Sequence, residues 1–226
     1  MVSHHTDRAF EAELTLLRDR LQRMSSRADE MIADAVRALV QGDVDLARST
    51  AARDRAVNQD EVDIDEQCLA MLARWQPMAS DLRFIFACSK MATDLEHISD
   101  LAVNVCERAD ELAAAGYRGP FTFLPHMAEV GREMLRDAMI AFMTANTDLA
   151  HEVLRRDDEI DDLHYQVVSV QMERIRAGEV DVRQGVAVQN VARFLENVAD
   201  HATALAEHVI FMVHALDVRH AGKRER

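Results

Sequence analysis

Glu96 and Asp100 stand four residues apart, and so do Glu196 and Asp200 a hundred residues later. They lie inside two segments, DLEHISDLA (94–102) and FLENVADHA (194–202), whose other residues follow an apolar helical pattern. Four residues is about one helical turn, so each pair projects from a single face, where like charges disfavour each other by about 0.2–0.5 kcal/mol. Water or a cation must offset that repulsion. Chance places about seven carboxylate pairs at this spacing in such a composition, so a single pair carries little weight. The recurrence in register carries much more, and Glu107 and Glu207 extend both stripes by a third acid.

The preceding stretch of each half supplies a second stripe. Asp54, Asn58, Glu61 and Asp65 occupy offsets 0, 4, 7 and 11, and Asp157, Asp161 and His164 occupy 0, 4 and 7. Neighbouring antiparallel helices would turn the two stripes of a half towards each other. Oxygen ligands converging without matching lysines or arginines suit divalent or iron cations: Mg, Ca, Mn or Fe, with Zn less favoured because thiolates are absent. The competing reading is a solvated acidic helix face. Asp94 with His97 and Asp161 with His164 also have the acid-x-x-His spacing of carboxylate di-iron cores, where the acid is normally Glu and four helices share one site. A di-iron-type helical metalloenzyme and a metal-free helical adaptor are therefore the alternatives. The sequence contains no Gly-rich phosphate loop, nucleophile elbow or Ser/His/Asp constellation, so it offers no catalytic residue set, and the expected protein is not an enzyme.

These residues need rigid helices to hold them, and the chain supplies the pattern. Phe10, Leu14, Leu17, Leu21, Met24, Ala28, Met31 and Ala35 alternate steps of four and three, one apolar stripe of a long helix. It should end at Gly42, with Asp43 capping the next helix. That second helix is expected over about 44–75, since Pro77 cannot continue it, and a third carries the first acidic motif to about 112. The stretch AGYRGPFTFLP (115–125) holds two of seven glycines and two of three prolines and marks the boundary between a first domain (1–117) and a second (118–226). The second half repeats the plan: helices over about 127–145, then from the NTD break (146–148) to about 177, and from Gly178 to about 215. The expected fold class is all-α: two tandem antiparallel three-helix bundles formed by an internal repeat.

Composition agrees. Only seven Gly and three Pro in 226 residues leave too few turns for a fold of many short strands. The formal net charge of −14 opposes binding to nucleic acid or an anionic membrane, although the tail GKRER (222–226) is locally basic. Cys68, Cys88 and Cys106 are scattered and odd in number, which fits buried reduced thiols rather than a disulfide framework. With no signal core and no apolar run long enough to span a bilayer, a cytoplasmic protein without membrane insertion is expected.

CLAMLARWQPMASDLRFI (68–85), DLEHISDLAVNVCERA (94–109) and FLENVADHATALAEHVIF (194–211) together resemble the signature of the PhoU family, with both copies present. The resemblance implies the same two three-helix bundles, with E(D)xxxD motifs that bind multinuclear iron or other metals. Carried over by position, the implied metal ligands are Asp54, Asn58, Glu61, Asp65, Glu96, Asp100, Asp157, Asp161, Glu196 and Asp200. Gln76, Pro77, Asp81, Leu82 and Arg83 match the family's QPxxxDLR turn, read here as architectural, with Asp81 as a candidate helix cap. The family usually has Arg after the motif's Glu and Gly before its Asp; this chain has His97 and Ser99, then Asn197 and Ala199. The implied role is a negative regulator of phosphate uptake and phosphate-starvation signalling. It would couple a phosphate ABC transporter ATPase to a sensor histidine kinase, and the expected assembly is a homodimer.

Overall fold

The computed structural model describes residues 3–218; the basic tail at 222–226 lies outside the described residues. Every regular element among the described residues is an α-helix: α1 (Ser3–Gln41), α2 (Val44–Ala51), α3 (Asp54–Trp75), α4 (Ala79–Ala114), α5 (Leu124–Thr144), α6 (Thr147–Arg155), α7 (Asp157–Arg176) and α8 (Val182–His214). Taking α2 with α3 and α6 with α7 as broken rods, the chain forms two three-helix bundles in tandem.

The apolar stripe predicted for α1 is its buried face, with Leu17, Leu21, Met24, Ala28, Met31 and Ala35 fully enclosed. Its end is the expected glycine cap. Gly42 takes φ +67°, which lets the Asp43 amide reach back to the Ala38 carbonyl at 2.9 Å. Asp43 then caps α2 by accepting from the Leu46 amide at 2.9 Å, and Asn146 does the same for α6. The second copy ends its first helix at Ala145 instead of a glycine, held at φ +52°.

The rods expected over 44–75 and 148–177 are each interrupted, which corrects the continuous helices predicted there. The breaks fall at Ala52–Arg53 and at Arg156, where no Gly or Pro announces them. At the first, the chain tightens into short bonds such as Arg53 N–H to the Thr50 carbonyl at 3.0 Å. The arginine at each break is pulled towards the first helix of its own bundle: Arg53 donates to Asp34 on α1 at 2.5 Å, and Arg156 donates to Glu133 on α5 at 2.7 Å. Each break sets a fresh helix N-terminus, with its partial positive charge, at Asp54 and Asp157. These are the first acids of the two stripes.

The QPxxxDLR turn departs from expectation in one respect. Gln76 adopts a left-handed conformation at φ +45°, and α4 begins at Ala79 with no side-chain cap. Asp81 sits in the first turn of the helix, where its charge favours the positive end of the dipole, rather than at the capping position. Arg83 reaches across to donate its Nε–H to the Met212 carbonyl at 3.1 Å, so this turn fastens the start of α4 to the end of α8.

The two bundles pack chiefly through α4 against α8 and α1 against α5. Contacts descend along α8 as they rise along α4: Arg83 with Met212, Phe86 with Phe211, Asp94 with His208 and His201. The two helices therefore run antiparallel. Both helices are lined by small and aliphatic residues, among them Leu95, Ile98, Ala102, Leu195, Ala199 and Ala202, all essentially inaccessible. Between α1 and α5, the Arg132 guanidinium grips both oxygens of Asp29 at 2.9 and 3.0 Å, a bidentate pairing of fixed geometry. The three cysteines are buried free thiols. Burial pushes Cys68 up to about 12 and Cys106 up to about 11, so they remain protonated packing groups.

Candidate metal centres

In the first bundle, α3 and α4 bring Asp54, Glu61, Glu96 and Asp100 into one electrostatic group. Burial and then the charges of Asp100 and Glu61 raise the Glu96 carboxyl above the usual range, with Asp54 adding to the effect. Asp100 is raised by burial and then by Asp54, with Glu61 contributing in the same sense. His97 provides the opposing, favourable charge to both. This is the signature of carboxylates gathered without a neutralising arginine or lysine.

Asp54 anchors the group. Its Oδ1 lies 2.9 Å from Ser99 Oγ, and its Oδ2 accepts from Asn58 Nδ2 at 2.9 Å. Ser99 Oγ is also 2.9 Å from the Glu96 carbonyl oxygen, so its single hydroxyl hydrogen serves one of the two acceptors. Ser99 thus has a use here, since a glycine in its place would have no group to offer Asp54. Asn58 Oδ1 is buried and has no hydrogen-bond partner. A buried amide oxygen without a donor costs about 1–3 kcal/mol, and a cation beside Asp54 would satisfy it. That orphaned oxygen and the crowded carboxylates fit an ion of the hard, oxygen-seeking kind.

The second bundle repeats the arrangement with different residues. Asp157 is pushed up to about 6 by burial, then by Asp200, Asp161, Asp158 and Glu196. His164 stands where the first stripe has Glu61, and its Nδ1 lies 3.4 Å from Glu196 Oε2. The first group thus offers an amide and four acids, and the second four predicted acids and an imidazole. Asp158 was not among the sequence candidates, because it lies off the stripe by one residue.

Three candidates lie apart from these groups. Asp65, the last member of the first stripe, accepts from Ser89 Oγ at 2.6 Å, further along the α3–α4 seam. Glu107 is exposed beside Arg108 at 3.6 Å. Glu207 belongs to a small cavity lined by Phe86, His208, Phe211 and Asp217.

The sequence pairs Asp94 with His97 but does not reveal the two partners that packing gives Asp94. Asp94 accepts from His201 Nδ1 at 2.9 Å and from His208 Nε2 at 3.0 Å, across the seam between the bundles. The spacing of seven between His201 and His208 places them on one face of α8, but nothing local says that this face meets Asp94.

The sequence profile of the PhoU domain matches residues 21–109 and again 124–209, the two regions that hold the acidic groups. The chain belongs to the PhoU family. Among its PhoU relatives, the phosphate-specific transport system accessory protein PhoU homolog of Pseudomonas putida is 37% identical over 227 residues, covering 98% of this chain and 87% of that protein. The phosphate-specific transport system accessory protein PhoU of Escherichia coli K12 is 29% identical, covering 99% and 93%. The crystal structure of PhoU from Pseudomonas aeruginosa superposes with a TM-score of 0.84 at 35% identity, covering 92% of this chain and all of that one. The phosphate transport system regulatory protein PhoU from Streptococcus pneumoniae has a TM-score of 0.86 at 23% identity, a likeness of fold. The PhoU domain's twofold occurrence in sequence coincides with the two bundles seen in the structure. Among the described residues no helix is long and apolar enough to cross a membrane.

Proposed function

We propose that this chain is a non-enzymatic, cytoplasmic regulator of phosphate uptake. In this role it restrains the phosphate-specific ABC transporter and keeps phosphate-starvation signalling off when phosphate is abundant. The observation that carries this reading is the end-to-end match, at 37% identity over 98% of the chain, to a protein named as an accessory of the phosphate-specific transport system. An accessory acts by docking. The rigid antiparallel rods and the absence of a wide catalytic constellation in the sequence support binding to the transporter's ATPase and to a sensor histidine kinase, with the protein acting as a homodimer.

The acidic groups supply the control point of this proposal. Cations of the Mn, Mg, Ca or Fe type held between α3 and α4, and between α7 and α8, would cancel the carboxylate repulsion and lock each broken rod onto its neighbour. Asp54, Asn58, Glu61, Glu96 and Asp100 would hold the first set, and Asp157, Asp161, Glu196 and Asp200 the second. Asp65 would serve as an outlying partner at the far end of the first seam. Deleting the gene and measuring a phosphate-starvation reporter in high phosphate tests the role. Derepression reversed by the wild-type gene is expected; an unchanged reporter, with no association to transporter or kinase, contradicts it.

A further inference from the structure

His97, exposed on α4, lies with its ring centroid 5.1 Å from that of His201 on α8. One ligand atom from each of Asp94, His97 and His201 falls within 4.8 Å of the other two. Two imidazoles and a carboxylate at such separations are the donor set of a borderline divalent transition ion, a different chemistry from the all-oxygen groups along the rods. We infer that Asp94, His97 and His201 form a third, separate metal site that binds one Zn²⁺-type ion across the junction of the two bundles.

The geometry is close to what such an ion requires. Ligand atoms around a tetrahedral zinc lie about 3.4 Å apart, so Asp94 and His201, hydrogen-bonded at 2.9 Å, open slightly, and His97, within 4.8 Å of both, moves in by at most about 1.4 Å. His97, whose side chain is 50% exposed, has the freedom to make that movement. Asp94 and His201 are the fixed half, at 16% and 28% exposure. Asp94 is also held from behind: His208 Nε2, on a side chain only 14% exposed, lies 3.0 Å from its second oxygen. A partner that orients a ligating carboxylate in this way is what a metal site needs beyond its direct ligands. The open side at His97 provides both an entry path and a coordination position for water.

The repeat sharpens the case. Every acidic group has a counterpart a hundred residues away, but this cluster has none: Phe194, Asn197 and Leu101 stand at the corresponding positions. A residue set that breaks the internal symmetry is not inherited from the duplicated rods, and it predicts one ion per chain. Because Asp94 and His97 come from the first bundle and His201 from the second, the ion joins the two halves. His97 Nε2 also lies 3.8 Å from Glu96 Oε2, so the same imidazole borders the first acidic group, and the test must separate the two locations.

Chelator-stripped full-length protein titrated with Co²⁺, which reports nitrogen ligation and low coordination number by its visible absorption, provides that test. The expected result is an intense band that saturates at one ion per chain and is displaced by Zn²⁺. It should persist in Glu96→Ala/Asp100→Ala, which removes the acids that His97 borders, and in Glu196→Ala/Asp200→Ala, and weaken at least tenfold in affinity in both His97→Ala and His201→Ala. His97 is exposed, so its substitution leaves folding intact. A wild-type protein without the band, or a band unchanged in either histidine variant, overturns the site. Neither result bears on the regulatory role, which the reporter assay tests independently.

Discussion

At the scale of single residues, the chain gathers like charges where a stable fold would avoid them. Asp157 shows the consequence most clearly: burial and four neighbouring acids lift it from an ordinary 3.8 to about 6. Between those two values the folded protein holds a proton here that the unfolded chain has already released. The contribution of this group to stability is therefore greatest below pH 3.8 and is lost as pH rises to about 6. Urea midpoints of the metal-free protein should show this downward slope, and Asp157→Asn should flatten it; an equal slope in the variant would remove Asp157 as its source. A bound cation reverses the argument, since the ionised form becomes the one that is stabilised. Ser99 and Asn58 point the same way, one restraining Asp54 and the other donating to Asp54 while its own buried amide oxygen is left for a cation. The stripes were legible because i, i+4 acids recur in register. Asp158, His201 and His208 were not, because their neighbours come from packing rather than from spacing.

At the scale of helices, caps and stripes could be read and interruptions could not. The Leu and Met stripe of α1 and the Gly42–Asp43 junction follow from periodicity and turn chemistry, both local properties. The breaks at Arg53 and Arg156 arise from arginines tethered to acids on another helix, and no sequence window contains that information. The alternation of stripe and break also explains why each acidic group begins at a helix N-terminus, where negative charge is favoured. Ala145 exposes a residual strain in this design, because a left-handed backbone suits glycine at helix ends. Ala145→Gly should raise stability by about 0.5–1 kcal/mol, read as a higher Tm; a lower Tm would show that the Ala145 methyl group or reduced chain entropy outweighs the strain.

At the scale of the whole molecule, duplication accounts for two bundles, two acidic seams and the antiparallel meeting of α4 with α8. The family likeness was legible in the sequence across both copies, and the fold with it. What duplication does not explain is the junction itself, where Asp94, His97, His201 and His208 have no repeat counterparts. The order of the packing follows from burial: α4 and α8 carry the most enclosed residues and form the centre, while α3 and α7 lie outside them, half-burying Asp54, Glu61 and Asp65 of α3 and Asp157 of α7.

The central claim is that those seams hold cations, and Mn²⁺ titration of chelator-stripped protein, followed by calorimetry and Tm, measures it directly. The account predicts more than one ion per chain and a rise in Tm, both abolished when Glu96, Asp100, Glu196 and Asp200 are all replaced by alanine. The same Mn²⁺ stoichiometry and the same rise in Tm in that variant would contradict it.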